Sequence, residues 1–172
     1  GCVHGTALAT SALVERGGGV TAALTPEGFG DILEIAYERR YSQYDIDLEK
    51  PDLIVPRRRC VTVRERILAR GEVLTPLDET AVDDLVRALD DAGAEAVAVC
   101  LLHAYANPVH ERRLRQLLFA RRPGLALSIS SAVSPRAGAF QRLSTYAPHA
   151  YRPPPMAYPP AVPARHLTPT GA

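Results

Sequence analysis

Residues 78–130 alternate between helical and extended apolar patterns, and this alternation constrains the fold more than any other part of the chain. Asp78 is predicted to cap the start of a first helix, and Gly93 is predicted to end it. Its inward face carries apolar residues at helical spacing, namely Val82, Leu85, Val86 and Leu89. The run EAVAVCLL then predicts a strand buried on both faces.

A second helix is predicted to begin at Asn107 and Pro108 and to stop near residue 123, before the strand LALSIS. Its apolar face carries Leu114, Leu117 and Leu118. Strands that alternate with helices over such short connections indicate an α/β protein, with a parallel or mixed sheet and helices packed on it.

The chain before residue 78 fits the same class less regularly. A strand and a helix are predicted within residues 1–16, ended by the glycines at 17–19. VTAALT predicts another buried strand, and PEGFGDILEIA predicts a helix whose apolar face carries Phe29, Ile32, Leu33 and Ile35. Residues 37–56 show no sustained hydrophobic periodicity, so we expect an extended segment without a regular helix or strand. A strand is predicted next, with Val61, Val63 and Ile67 on one side and Thr62, Arg64 and Arg66 on the other. The segment ARGEV after it predicts the turn of a hairpin.

Proline marks the predicted end of the folded region. Eight of the 15 prolines lie in residues 148–172, a density that no helix tolerates. We therefore predict one α/β domain over residues 1–147 and an extended or disordered tail over residues 148–172. The tail fits a polyproline ligand of an aromatic groove, or equally the translation of an altered reading frame.

Charge and cysteine usage exclude several classes of protein. Lys plus Arg number 20 and Asp plus Glu number 19, so the net charge of +1 offers no field that would attract nucleic acid or an anionic membrane. Cys2, Cys60 and Cys100 are widely spaced, which argues against a disulfide framework and for a reducing, cytoplasmic compartment. Cys100, at the end of a buried strand, is interpreted as a core residue. No apolar run reaches the roughly 18 residues that a membrane span needs.

Two groups of residues suggest binding chemistry, and each has a structural interpretation beside the functional one. The first group is a basic run that comprises Arg57, Arg58, Arg59, Arg64 and Arg66. It could bind phosphate or nucleic acid, but it alternates with valines and lacks aromatic residues, which favours a solvated strand face. His103, His110 and Glu111 flank the start of the second helix. Because their spacing fits no common zinc pattern, we predict no metal site.

Six segments, in order, carry a family resemblance: HGTALATSALVER, TPEGFGDILEIAYERR, YDIDLEKPDLIVPRR, VRERILARGEVLTPLDE, EAVAVCLLHAYANPVHE and, more weakly, VSPRAGAFQRLSTYAPHAY. Together they resemble the N-terminal region of the hydantoinase A/5-oxoprolinase family, which also includes the ATP-using subunits of acetone and acetophenone carboxylases. The resemblance implies part of a lobe similar to acetate kinase, sugar kinases and actin. It further implies a parent enzyme that uses ATP and Mg²⁺ to open a cyclic amide or to activate a ketone, together with a hydantoinase B-type subunit and the remainder of the A subunit.

The same resemblance assigns candidate site residues and exposes departures from the family pattern. His4, Gly5, Thr6, Thr10 and Ser11 are implied to face nucleotide or substrate, with a strand-to-helix turn as the structural alternative. The family's Asp-Gly-Gly-Thr phosphate loop and its second such loop are missing from the sequence, and its acidic residue after Ser-Pro is Arg136. We therefore expect an incomplete enzyme segment that is inactive alone and does not bind ATP tightly, with a standalone interaction module or a decayed gene copy as alternatives.

Overall fold

The computed structural model describes residues 17–37, 44, 47, 52–133 and 138–150. Its strands, in chain order, are β1 Thr21–Pro26, β2 Cys60–Val63, β3 Arg66–Ile67, β4 Val73–Thr75, β5 Ala96–Val99 and β6 Ala126–Ile129. Its helices are α1 Ile32–Ile35, α2 Val82–Asp91, α3 Val109–Arg121, α4 Ser130–Val133 and α5 Ala139–Ala150, with a 3-10 turn over Arg57–Arg59. Four strands form one sheet in the order β2-β1-β5-β6, and β3 pairs with β4 separately.

All pairings in the four-stranded sheet are parallel, as the alternation of strands and helices predicts. Successive residues of a strand face opposite sides of a sheet, so the two faces bury different side chains. One face joins α2 and α3 in a core that contains Leu24, Val97, Val99, Leu85, Leu89, Leu114 and Leu118. The other face joins α1 and α5 and contains Ala23, Ala96, Ala98, Cys100, Leu33 and Leu143. The described residues therefore form three layers, with the sheet between helices.

The helix predicted after Asp78 is α2, and the residues predicted to face inward do so. Val82, Leu85 and Leu89 are buried and Val86 packs against the same core. Full burial of each large aliphatic side chain contributes about 1.5–3 kcal/mol. The cap differs from the prediction, because Ala81 is the N-cap residue and makes no side-chain bond. Asp78 instead accepts hydrogen bonds from the amide and hydroxyl of Thr80, which orders the turn before the helix.

The strand predicted over residues 61–67 is divided in two, which corrects the sequence interpretation. β2 pairs with β1 in the main sheet, whereas β3 pairs antiparallel with β4. The predicted hairpin is present, and Gly71 allows its turn by adopting φ of 89°. Between β2 and β3 the carbonyl of Arg64 accepts a hydrogen bond from the amide of Asp78 and not from a strand of the main sheet, which ends β2.

Two further boundaries differ from the predictions. α1 is only one turn long and buries Leu33, but Ile35 is half exposed rather than part of the apolar face. α5 extends to Ala150 with Pro148 inside it, three residues past the predicted domain boundary at 147. The predicted tail beyond residue 150 and the opening strand and helix lie outside the described residues. Within the described ranges, no helix is both long and apolar enough to cross a membrane.

Candidate functional site

The carboxyl ends of the four parallel strands meet at one edge of the sheet, which we call the carboxyl edge. The chain runs outward from β1 to β2, returns to β5 on the other side of β1, and continues outward to β6. The direction of winding therefore reverses between β1 and β5. Open parallel sheets bind ligands outside the carboxyl ends of their strands at such a reversal. This topology makes the loops after β1 and β5 the candidate site.

Glu111 is a fully buried carboxylate that joins the two strand ends on one side of this edge. One oxygen accepts hydrogen bonds from the amide of Leu101 at 3.0 Å and from the hydroxyl of Ser130 at 2.6 Å. The other accepts from the amide of Ser131 at 2.8 Å. Its position in the first turn of α3 places its negative charge at the favourable end of the helix dipole. Glu111 thus fixes the chain where it leaves β5 and β6.

Arg142 supplies the opposite charge from α5 and is almost fully buried. Its Nη2 donates to the carbonyl of Leu101 at 2.7 Å, and its Nη1 donates to the Ser130 hydroxyl at 3.3 Å. Ser130 therefore bridges Arg142 and Glu111, and Leu101 is held through both its amide and its carbonyl. We call Glu111, Ser130 and Arg142 the clamp. Charged groups are buried in this way only when they are paired and hydrogen-bonded.

A second buried pair lies where the chain leaves β2. His110 Nδ1 lies 2.7 Å from a carboxylate oxygen of Glu65, and both side chains are buried. Burial raises the pKa of Glu65 above its usual value, although the hydrogen bond and charge of His110 oppose this. Within the described chain, the other oxygen of Glu65 has no hydrogen-bond partner. The carboxyl group of Glu65 therefore keeps its proton to a higher pH than an exposed carboxyl group does.

The loop after β5 carries a histidine in an uncommon conformation. His103 adopts φ of 54°, in the left-handed region that disfavours residues with a Cβ atom. Its Nδ1 lies 3.3 Å from the hydroxyl of Tyr105. At the end of the loop, Asn107 accepts a hydrogen bond from the amide of Val109 and donates to the carbonyl of Gly71, which connects α3 to the β3–β4 hairpin. The N-cap residue is Pro108, which makes no side-chain bond, so Asn107 orders the turn before the helix rather than capping it as predicted.

The residues considered as metal ligands are engaged separately. His103 contacts Tyr105, His110 contacts Glu65, and Glu111 accepts from the Ser130 hydroxyl within the clamp. In the ranges that the structure covers, no group of three or more His, Cys, Asp or Glu side chains is arranged to hold a metal ion.

The basic run does not form the single solvated strand face that the sequence predicts. Arg57, Arg58 and Arg59 form the 3-10 turn before β2, and Arg57 forms an ion pair with Asp31. Arg66 lies 5.0 Å from the ring centroid of Phe29. These contacts give Arg57 and Arg66 structural partners.

The two described cysteines are core residues, as predicted for Cys100. Burial raises the pKa of the Cys60 thiol to about 11 and that of the Cys100 thiol to about 12. Since the thiolate is the reactive form, neither side chain is a nucleophile at neutral pH.

The predicted site residues His4, Gly5, Thr6, Thr10 and Ser11 lie outside the described residues, so their role stays a prediction. The sequence interpretation missed the clamp and the partner of His110. One signal was available, because Glu65 shares the alternation of Val63 and Ile67 and a charged residue at a buried strand position needs a partner. Arg142 gave no comparable signal, because its burial depends on how α5 packs against the strand ends.

A parallel sheet between helices, with buried charges at its carboxyl edge, defines an α/β protein of the open-sheet class. Residues 1–121 match the family described as the hydantoinase/oxoprolinase N-terminal region. The chain belongs to this family, which confirms the resemblance carried by its sequence segments.

Two relatives and one solved structure illustrate the match. The caprolactamase subunit alpha of Pseudomonas jessenii is 29% identical over 90% of this chain and 23% of its own length. The acetophenone carboxylase gamma subunit of Aromatoleum aromaticum is 35% identical over 67% of this chain and 17% of its own length. The crystal structure of the ATP-dependent caprolactamase of Pseudomonas jessenii superposes with a TM-score of 0.79 at 29% identity, over 87% of this chain and 22% of that one. The chain thus spans about a fifth of the length of these relatives.

Proposed function

We propose that this chain is one segment of the ATP-using subunit of an enzyme that opens cyclic amides, of the hydantoinase or 5-oxoprolinase type, and that it has no activity by itself. The superposition on an ATP-dependent caprolactamase over most of the chain carries this proposal. The chain corresponds to 22% of that protein, so the greater part of the proposed parent lies outside this segment.

The proposed nucleotide- or substrate-facing residues are His4, Gly5, Thr6, Thr10 and Ser11. They lie within the residues that match the family, which supports their assignment. In the parent, ATP and Mg²⁺ would phosphorylate an amide oxygen and so weaken the ring bond. Phosphate binding needs backbone N–H groups from glycine-rich turns and a carboxylate for the metal. The sequence has no Asp-Gly-Gly-Thr turn, so the 172-residue chain is expected to bind MgATP weakly at most.

The proposed partners are the remainder of an A-type subunit and a hydantoinase B-type subunit. Support comes from relatives that are themselves named as the alpha subunit of caprolactamase and the gamma subunit of acetophenone carboxylase. The proposed compartment is the cytoplasm, because Cys60 and Cys100 are free thiols and such cysteines persist in reducing surroundings.

A chimeric enzyme tests the proposal. The matching segment of the caprolactamase alpha subunit is replaced by this chain, and ATP hydrolysis is measured in the assembled enzyme with caprolactam, 5-oxoproline or hydantoin. We expect ATP hydrolysis that depends on a cyclic amide, and none from the isolated chain. Thermal unfolding of the chimera serves as the control for folding.

Each outcome selects one interpretation. Magnesium-dependent ATP hydrolysis by the isolated chain contradicts its proposed inactivity. A folded chimera without hydrolysis contradicts the proposed enzyme role and favours a standalone interaction module. An isolated chain without a cooperative thermal transition, which proteases degrade rapidly, indicates a decayed gene copy.

A further inference from the structure

The backbone around His103 is held by hydrogen bonds on both sides. Before it, Leu101 is bound by Glu111 through its amide and by Arg142 through its carbonyl. After it, the amides of Ala106 and Asn107 donate to the carbonyl of His103 at 2.9 and 3.1 Å. A left-handed conformation in a residue with a Cβ atom persists only where surrounding contacts enforce it, and such residues concentrate at functional sites.

The side chain of His103 is oriented as well. The hydroxyl of Tyr105 lies 3.3 Å from Nδ1, and the two rings meet edge to face at 5.8 Å. The guanidinium of Arg142 lies 5.8 Å from the centre of the Tyr105 ring. A cation over the ring withdraws electron density from the phenol, which makes its O–H a better donor. With Tyr105 as the donor to Nδ1, the imidazole proton would reside on Nε2.

The second ring nitrogen of His103, Nε2, has no hydrogen-bond partner among the residues that the structure describes, and the side chain is half-buried. The loop follows β5 at the point where the sheet reverses its winding, which is where open parallel sheets bind ligands. An N–H donor that is oriented in advance stabilises an anionic oxygen without reorganisation.

We propose that His103 is a ligand-binding residue whose Nε2–H donates to a phosphoryl oxygen, and that Tyr105 and Arg142 are positioning residues that act through it. The choice of a phosphoryl group rests on the proposed function, in which a phosphoryl group passes from ATP to an amide. Two sources share this chemistry, the nucleotide itself and the phosphorylated substrate.

Nitrogen-15 NMR of the imidazoles in the full 172-residue chain tests the orientation. His103→Asn assigns the His103 resonances and keeps a residue that tolerates the left-handed backbone, so the melting temperature serves as its folding control. We expect His103 to carry its proton on Nε2, and Tyr105→Phe to shift the Nδ1 resonance. Tyr44→Phe is the matched control, because Tyr44 is 91% exposed. A proton on Nδ1, or no shift in Tyr105→Phe, overturns the proposal.

Titrations of the same resonances test the ligand. The two probes are MgATP and phosphonoacetamide, a stable mimic of a phosphorylated amide, with chloride at equal ionic strength as the control. We expect a saturable shift of His103 Nε2 at millimolar concentration, weakened roughly fivefold in Tyr105→Phe by loss of one orienting hydrogen bond. A response to one probe alone assigns the source.

An unmoved Nε2 resonance with both probes overturns the role of His103. That result leaves the proposed enzyme function in place, since the chimera measures turnover. Conversely, a folded but inactive chimera contradicts the function while the imidazole response still reports on His103.

Discussion

Replacement of Glu111 by glutamine removes one charge from the clamp while nearly preserving the shape of the side chain. The carboxylate accepts three hydrogen bonds at 2.6–3.0 Å, and glutamine must direct its amide donors at one of those N–H or O–H groups. It also removes the negative charge that faces the buried Arg142 guanidinium across the Ser130 hydroxyl. Removal of one partner from a buried charged pair costs about 3–5 kcal/mol. This is a large share of the roughly 5–15 kcal/mol that stabilises a typical domain.

Urea denaturation followed by circular dichroism measures the effect. With a slope of about 2 kcal/mol per molar urea, the midpoint should fall by roughly 1.5–2.5 M. Glu72→Gln is the matched control, because Glu72 is exposed and such surface changes stay within about 0.5 kcal/mol. In the double variant with Arg142→Met, the loss should be smaller than the sum of the single losses. Equal midpoints for Glu111→Gln and Glu72→Gln would refute the clamp as a source of stability.

Three further changes probe the second buried pair, the core and the turns. Because burial raises the pKa of Glu65 above 4.5, the wild type should lose stability as pH rises through that raised pKa. Glu65→Gln should lack this loss, which urea midpoints between pH 4 and 7 will show. Leu114→Ala should cost about 2–5 kcal/mol by calorimetry, whereas Phe119→Ala, at an exposed position of the same helix, should cost little. Gly93→Ala, at φ of 64°, should lower stability by about 1 kcal/mol or more, and Gly124→Ala, where a Cβ meets no atom within 4 Å, should not.

The fold could be predicted where local pattern and burial agree. The apolar spacing of α2 and the apolar run of β5 identified both elements, because a two-sided parallel sheet needs continuous apolar strands and one-sided apolar helices. The break between β2 and β3 was missed, since alternation continues across residues 64 and 65 even though pairing does not. The spacing of Ile35 predicts that it lies on the apolar face of a longer helix, but α1 ends at Ile35 after a single turn and leaves it half exposed.

The sequence alone determined the layered α/β class, the inward faces of the longer helices and the family, because these depend on periodicity and on the order of short segments. Only the tertiary structure decided which polar residues are buried together. Glu111, Ser130 and Arg142 lie on α3, at the end of β6 and on α5, and they meet because parallel strands bring their carboxyl ends to one edge. The chain just before His103 is likewise held by Arg142, a residue distant in sequence, through the carbonyl of Leu101. A buried charge is stable only with partners that the fold supplies, so its place depends on packing and not on local pattern.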